Sequence, residues 1–224
     1  MEEKDETMGT YATKYYQAID LIVKKYSLRD SFKILDVGTG TGQTTSLFKT
    51  KHNKVIGVDI LDRRGAQYVN NFDFQLENGL ELSFADESFD LVVSFDVIEH
   101  IKDAQRFVKE MMRVLKIGGK KLIGTPSRLR ISSRLQMMLG KKITFPRYYG
   151  TSKESGDVVH VHEYTMEELK EILGGCGANI LKARGFLLGM YLVGGRGQGF
   201  LQAPRFLTNF AQHLFILGVK QSVL

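Results

Sequence analysis

Short apolar runs alternate with segments of helical periodicity along most of this chain. The runs predict strands at about 33–37, 54–59, 72–76, 89–95 and 119–125, with helices between them. The helix at about 103–115 is expected to end at Gly118 and Gly119. Alternating strands and helices predict an α/β fold built on a doubly wound parallel sheet.

The rhythm changes on both sides of this central region. Residues 10–26 have apolar positions at helical spacing and predict a helix before the first strand. At about 126–163 a basic, partly apolar insertion interrupts the alternation. A short helix within it would present one apolar face, made of Leu129, Ile131, Leu135, Met138 and Leu139. The insertion is interpreted either as a substrate lid or surface-binding element, or as a helical addition that packs on the core.

Regular elements return in the last quarter of the chain. Thr165 and Glu168 have the spacing of a capping box, which starts a helix predicted over 165–174. A strand at about 178–186, a glycine-rich loop at 194–199, a helix over 204–210 and a final strand at 215–220 are predicted to follow. No internal repeat or second domain is evident, so one domain is predicted over 1–224.

A glycine-rich turn follows the first strand. Gly38, Gly40 and Gly42 let the backbone bend sharply and approach a ligand, and the next residues open a helix whose free N–H groups point towards it. A dinucleotide site needs the spacing G-x-G-x-x-G, but Gln43 stands where its third glycine would be, so an NAD-dependent dehydrogenase is disfavoured. Asp59 ends the second strand at about the distance expected of a ribose-binding carboxylate.

Five motifs in order resemble those of the class I S-adenosylmethionine-dependent methyltransferases, in the group that includes ubiquinone-biosynthesis enzymes. They are the D-x-G-x-G-x-G loop at 36–42, the strand and acid at 54–59, the run LSFADESFDLVV at 82–93, VIEHI at 97–101 and VLKIGGKKLI at 114–123. The resemblance implies a Rossmann-like, seven-stranded sheet with an antiparallel last strand and helices on both faces. It also implies S-adenosylmethionine as cofactor and S-adenosylhomocysteine as product, and a cap over the cofactor formed by the helix at about 10–26.

The resemblance further implies which residues hold the cofactor. Gly38, Gly40 and Gly42 would hold its methionine and ribose end, Asp59 would bind ribose, and Asp36 would orient the loop or the amino-acid moiety. Asn78 and Gly79 would meet adenine, where many relatives carry an Asp; an Asn carbonyl still accepts that hydrogen bond, but without the charge. Thr39, Ile60 and Phe95 complete the predicted cofactor-binding set.

The net charge of +6 is distributed unevenly along the chain. Residues 111–153 contain eleven Lys or Arg and no Asp or Glu, and 172–224 contain five and none. This pattern favours an anionic partner, such as a phosphorylated or carboxylated small molecule, an anionic membrane surface or nucleic acid, although a solvated basic face is the simpler alternative. The single cysteine, Cys176, predicts a cytoplasmic protein, and we expect neither a signal peptide nor a membrane span.

Three histidines are candidate general bases: His160 first, then His162 and His100. A structural role is the alternative for each, and Glu163 is a further candidate. Asp96, Glu99 and His100 with His160 or His162 also have the ligand types of a divalent metal site. Since the Glu-His pair also occurs in relatives without metal, the prediction is that no metal is used.

The sequence therefore predicts methyl transfer to the oxygen or carbon of a small-molecule or lipid-like acceptor. The basic segments favour an anionic acceptor, and a neutral one is the alternative. The segment 95–98 reads Phe-Asp-Val-Ile rather than N/D-P-P-Y, which disfavours exocyclic amines of bases and glutamine as acceptors. Two alternatives stay open: an RNA methyltransferase that uses the basic stretch 111–153, and a non-catalytic interaction module that binds the cofactor.

Overall fold

The computed structural model describes residues 3–26, 31–152, 156–188 and 200–222. The glycine-rich loop predicted at 194–199 lies outside these ranges. The strands are β1 (Lys33–Val37), β2 (Lys54–Asp59), β3 (Asp73–Leu76), β4 (Phe89–Phe95), β5 (Leu115–Pro126), β6 (Arg147–Ser152), β7 (Gly156–His160), β8 (Ala178–Leu188), β9 (Phe200–Gln202) and β10 (His213–Lys220). The α-helices are α1 (Glu3–Tyr26), α2 (Gln43–Ser46), α3 (Ala104–Val114), α4 (Ile131–Met138) and α5 (Met166–Gly175).

Eight of these strands form one sheet in the order β3-β2-β1-β4-β5-β10-β8-β9. The strands from β3 to β5 are parallel, whereas β10 pairs antiparallel with β5 and with β8. The predicted seven-stranded, mostly parallel sheet with an antiparallel last strand is therefore confirmed, and the short β9 adds an eighth strand at the edge. The central strands β1 and β4 are apolar and buried almost throughout, as expected of parallel strands covered on both faces.

Helices cover both faces of the sheet, as predicted. On one face Phe107 and Met111 of α3 and Leu169 of α5 pack in one buried cluster with the strands. On the other face Ile19 and Val23 of α1 pack in a second cluster. The helix predicted over 10–26 therefore exists, but it begins at Glu3.

The connections between the first strands contain less helix than predicted. Only the one-turn α2 follows β1, a 3-10 turn at Ala66–Tyr68 links β2 to β3, and the described residues 77–88 between β3 and β4 contain no helix. Packing is close at the start of α2, where a Cβ added to Gly42 would lie 2.9 Å from the ring of Phe72 and 3.1 Å from Cβ of Tyr68.

Helix α3 begins at its N-cap Asp103, whose Oδ1 accepts a 2.9 Å hydrogen bond from Arg106 N. It ends at Val114, and β5 starts at the next residue. The prediction that Gly118 and Gly119 stop this helix was wrong. Gly118, with φ of 76°, lies within β5.

The insertion contains α4 and the antiparallel hairpin of β6 and β7. In the predicted apolar face, Leu129 and Ile131 are half-buried, but Met138 is 83% and Leu139 is 78% exposed. Only Ser133 of α4 is buried. The alternative in which this helix packs on the core was therefore wrong for its second half.

Across the described ranges, no helix has both the length and the apolar character that crossing a bilayer requires.

Candidate active site

A cavity of about 500 Å³ lies at the carboxyl ends of β1, β2 and β4. This edge is where parallel α/β sheets bind ligands. Its lining from the first strands and turns is Val37, Gly38, Thr39, Gly40, Thr41, Thr44, Val58, Asp59, Ile60, Arg63, Glu77, Asn78 and Gly79. The rest of the lining is Tyr15, Tyr16, Phe95, Asp96, Val97, His100, Ile101 and Phe107.

The glycine turn forms one wall of this cavity. Gly38 has φ of 90°, and an added Cβ would lie 2.1 Å from Cγ2 of Val97, so only glycine fits there. Gly40 has φ of 53°, and its Cβ would meet no atom within 4 Å. The turn is thus closed against the protein at Gly38 and open at Gly40, which leaves room for a ligand against its backbone.

Asp59 sits beside this turn and is almost fully buried. Its Oδ2 accepts a 2.8 Å hydrogen bond from Gly40 N, which fastens the turn to the end of β2. The guanidinium of Arg63 lies 3.1 and 3.2 Å from the two carboxylate oxygens. Sequence analysis missed Arg63, although its spacing of four residues from Asp59 was a usable signal for an ion pair.

Asn78 and Gly79 line the cavity on the side of β3. The Asn78 Oδ1 accepts a 3.0 Å hydrogen bond from Leu80 N, which occupies one of the two lone pairs of the carbonyl. A Cβ at Gly79 would lie 2.6 Å from the Phe107 ring and 2.9 Å from Val37, so this glycine allows close packing. Of the other predicted cofactor-binding residues, Thr39, Ile60 and Phe95 line the cavity.

Two predicted cofactor-binding residues, Asp36 and Gly42, do not line the cavity. Asp36 is buried beneath the turn, and its Oδ2 accepts a 2.6 Å hydrogen bond from Thr45 Oγ1. Burial raises the pKa of Asp36 to about 7 against the opposing Thr45 hydrogen bond, and the charge of Asp59 adds to the rise. Gly42 has φ of 87° and forms the N-cap of α2. Asp36 therefore holds the start of α2, which suits the predicted role of orienting the loop and not the alternative of contacting the amino-acid moiety. Gly42 likewise supports the turn from outside the cavity lining.

Asp96 follows β4 on the opposite wall and has φ of 54°, which is unusual for a residue other than glycine. Its Oδ1 lies 3.1 Å from Nε2 of the buried His213, which belongs to β10. Burial alone would raise the pKa of Asp96, but His213 outweighs this effect and lowers it. No sequence pattern links these residues, which are 117 positions apart.

Glu99, His100 and His160 come together beside Asp96. Their potential ligand atoms lie within 4.8 Å of one another, and the two imidazole rings are 4.9 Å apart and nearly perpendicular. The backbone joins the segments, since Val161 N donates to Glu99 O at 2.8 Å. These three residues can hold a metal ion, and His100 alone among them lines the cavity.

Glu99 is fully buried. Its Oε2 accepts a 2.8 Å hydrogen bond from Thr125 Oγ1, whereas Oε1 has no hydrogen-bond partner among the described residues. Burial, followed by the charge of Asp96, raises the pKa of Glu99 well above its usual range.

His160 is held in place by a buried polar network. Its Nδ1 lies 2.9 Å from Oε1 of Glu163, which also accepts from the Tyr149 hydroxyl. Arg130 pairs with both oxygens of Glu163, at 2.6 and 3.0 Å. Burial alone would raise the pKa of Glu163, but hydrogen bonds from His160 and Arg130 and the charge of Arg130 outweigh this effect and lower it to about 2. Glu163 therefore stays ionised and positions His160 rather than acting as a base.

His162 lies outside the cavity lining. Its Nε2 is 3.3 Å from Nη1 of Arg128, and its ring lies 4.7 Å from that of Tyr164. Of the three candidate bases, the fold thus brings His100 to the cavity and His160 directly behind it, but not His162.

Comparison with known proteins agrees with this arrangement. Residues 35–123 match the family model described as a methyltransferase domain. The chain is 31% identical over 157 residues to a protein of Mycolicibacterium smegmatis named as a probable S-adenosylmethionine-dependent methyltransferase, a match that covers 67% of this chain and 59% of that protein. It is 33% identical over 122 residues to the human mitochondrial ubiquinone biosynthesis O-methyltransferase, which covers 50% of this chain and 33% of that protein. The chain thus spans three fifths or less of the length of these two relatives.

The fold has close structural relatives as well. A crystal structure of an S-adenosylmethionine-dependent methyltransferase from Thermotoga maritima superposes with a TM-score of 0.67 at 19% identity, over 97% of this chain and 96% of that one. The glycine turn and Asp59, which ends β2, both lie within the matched residues 35–123. The chain belongs to the class I S-adenosylmethionine-dependent methyltransferases.

Proposed function

We propose that this protein transfers a methyl group from S-adenosylmethionine to an oxygen or carbon atom of a small, lipid-like acceptor. The observation that carries this proposal is the continuity of the cavity. Gly40 and Asp59 line one part of it, and Asp96 and His100 line another. Cofactor and acceptor can therefore meet in one continuous cavity, which methyl transfer requires.

The residues present fit the cofactor. The open space at Gly40 gives a methionine and ribose moiety access to backbone N–H groups. Asp59 offers two acceptor oxygens for ribose hydroxyls once Arg63 moves aside. The volume of about 500 Å³ falls within the range of small-molecule sites.

The chemistry divides between cofactor and protein. When bound, S-adenosylmethionine supplies an activated methyl group on a sulfonium. The wall of Tyr15, Tyr16 and Phe107 limits access of water, which is a condition for productive alignment. His100 Nδ1 lies 2.8 Å from the carbonyl of Val159, so this nitrogen donates and Nε2 is left as the acceptor. Partial burial of its ring lowers the pKa of His100 against the opposing hydrogen bond to Val159, which favours the neutral form that can take a proton from a hydroxyl acceptor.

The surface beyond the cavity supports a lipid-like acceptor. Leu135, Met137, Met138 and Leu139 are exposed on α4 and just after it, and Lys141 and Lys142 follow directly. An exposed apolar patch bordered by lysines suits an anionic membrane surface, from which a lipid-like acceptor would be taken. The human relative is named for quinone biosynthesis, which is consistent with an acceptor of this kind.

Ion pairs weaken the RNA alternative. Within the basic stretch 111–153, Arg113, Lys116, Arg128 and Arg130 pair with carboxylates from elsewhere in the chain. Lys121 is buried. Much of the apparent basic charge is therefore neutralised within the fold and does not form a continuous surface for phosphates.

Calorimetric titration of S-adenosylhomocysteine into the purified protein tests the cofactor. We expect micromolar binding to the wild type and to Asp62→Ala, a matched control whose carboxylate pairs with Arg64 on the surface. We expect no binding to Asp59→Ala and no binding of NAD to the wild type. Equal binding to both Asp variants, or binding of NAD alone, would contradict the proposal.

Turnover is then measured as release of S-adenosylhomocysteine. We expect product with phenolic or quinol acceptors presented in anionic vesicles and none with total RNA. Product with RNA alone would favour the nucleic-acid alternative, and tight cofactor binding without any product would favour the non-catalytic module.

A further inference from the structure

A buried carboxylate without a full set of partners lies next to two imidazoles whose tautomers are fixed by the fold. Glu99 Oε1 is buried and accepts no hydrogen bond from any described residue. An isolated polar atom of this kind is costly unless something binds it. One potential ligand atom from each of Glu99, His100 and His160 lies within 4.8 Å of the other two.

The second ring nitrogen of each histidine is already used. His100 Nδ1 lies 2.8 Å from the backbone oxygen of Val159, and His160 Nδ1 lies 2.9 Å from the carboxylate of Glu163. Both partners accept hydrogen bonds, so each Nδ1 carries the proton and each Nε2 keeps its lone pair. This is the arrangement that holds metal-binding histidines, in which a carboxylate or carbonyl fixes one nitrogen and leaves the other for the ion.

The partner of His160 is itself held firmly. Glu163 is fully buried and paired with Arg130 at 2.6 Å, and it also accepts from Tyr149. Arg130 balances the charge of Glu163 and holds it in place, so Glu163 is a fixed acceptor for the Nδ1 hydrogen of His160.

We infer that Glu99, His100 and His160 bind one divalent transition-metal ion at the inner end of the cavity. One carboxylate and two neutral imidazoles suit Zn²⁺, Mn²⁺ or Fe²⁺, and three protein ligands leave positions open for water or a substrate oxygen. The inference revises the sequence-based expectation that no metal is used. It stands on binding alone and does not require methyl transfer.

A role for the ion in methyl transfer rests on the proposed function. In that role the ion would lie where a hydroxyl acceptor enters the cavity beside His100. With the ion bound, His100 Nε2 would be a ligand and no longer the base, and a hydroxyl on the ion would have a lowered pKa and lose its proton to water. The oxygen lone pair then forms the bond to the methyl carbon, and the carbon–sulfur bond breaks to leave a neutral thioether.

The experiment measures metal binding directly. Protein stripped with a chelator and then dialysed is titrated with Co²⁺, followed by visible absorption, and separately with Zn²⁺ and Mn²⁺ by calorimetry. We expect one ion per chain for the wild type, with affinity at least about tenfold lower in Glu99→Gln and His100→Asn. His52→Asn replaces an exposed histidine that is distant in the sequence from these three residues, and it should bind the ion as the wild type does.

Folding and function are kept separate in this design. Glu99→Gln replaces a buried carboxyl with a neutral group of the same shape, so thermal unfolding should show it folded, and His100 is exposed. S-adenosylhomocysteine binding measured with and without metal shows whether the cofactor site works independently. Absence of any bound ion, or equal affinity in wild type and Glu99→Gln, would overturn the inference even if the cofactor binds.

Discussion

Arg63 Nη2 lies 3.1 Å from Oδ1 and 3.2 Å from Oδ2 of Asp59, inside the cavity that the proposed cofactor enters. The arginine therefore engages both oxygens that would bind ribose. Under the proposed function, ribose would have to displace this ion pair, and until then the carboxylate of Asp59 stays paired with Arg63.

Replacing Arg63 tests this competition. In Arg63→Ala, S-adenosylhomocysteine should bind several-fold more tightly, because no ion pair has to be broken. The ligand-free protein should unfold more easily by about 1–3 kcal/mol, since Asp59 is left buried without its cation. Calorimetry and urea unfolding measure the two effects, with Arg64→Ala as the surface control. Weaker cofactor binding in Arg63→Ala would show that the arginine contacts the ligand instead.

Gly38 should tolerate no side chain. Gly38→Ala places a Cβ 2.1 Å from Val97 at a φ of 90°, so we expect a loss of about 1–3 kcal/mol in unfolding free energy and weaker cofactor binding. Gly140→Ala is a matched control, because Gly140 also has positive φ, at 76°, but no atom lies near its Cβ position. If both variants lost the same stability, backbone strain and not the contact with Val97 would be the cause. Adding Val97→Ala to Gly38→Ala should restore part of the loss.

Lys121 should make stability depend on pH. Burial lowers its pKa from 10.5 to about 7, so between these values the unfolded chain binds one proton more than the folded chain. Stability should therefore rise with pH over this window, by up to about 1.4 kcal/mol per unit, and the full cost of burial should persist below pH 7.

Urea unfolding at pH 7, 8 and 9 measures this dependence. Lys121→Met should be more stable than the wild type at pH 7 and should lack the rise, whereas Lys120→Met should keep it. A wild-type slope unchanged in Lys121→Met would assign the effect to another group.

The exposed end of α4 should govern binding to membranes. Met138→Glu and Leu139→Glu place charge where 83% and 78% of these side chains are exposed, so folding should be unaffected. Sedimentation with anionic vesicles should fall about tenfold or more, while Ile117→Glu, an exposed apolar site on β5, should bind as the wild type does. If Ile117→Glu lost vesicle binding to the same extent, the added negative charge and not the position on α4 would explain the loss.

The sequence was most informative where local pattern and burial coincide. The bounds of β1, β2 and β4 were predicted to the residue, because each strand is a continuous apolar run ended by glycine or acid. The capping box at Thr165 was predicted for a similar local reason and forms as expected. Motif order also predicted part of the cavity lining, namely Gly38, Thr39, Gly40, Asp59, Ile60, Asn78 and Gly79, but not Arg63.

What the sequence did not reveal depends on contacts between distant segments. The pairing of Asp96 with His213 and the network of Arg130, Tyr149 and Glu163 join residues that no spacing connects. The connection between β2 and β3 was predicted to be helical but contains only a 3-10 turn at Ala66–Tyr68. The burial of Lys121 inside a basic stretch likewise became clear only once the strand was placed.

The walls of the cavity come from two parts of the chain, the segment that matches the family model and helix α1 before it. The glycine turn and Asp59 come from the segment shared with the family, but Tyr15 and Tyr16 come from α1, which lies before that segment. The Tyr15 ring lies 4.7 Å from that of His213, the partner of Asp96, so under the proposed function variation in α1 would reshape this part of the cavity without altering the glycine turn or Asp59. A library randomised at these two tyrosines is expected to alter substrate preference, with unfolding measured alongside because Tyr15 also packs in the buried cluster of α1.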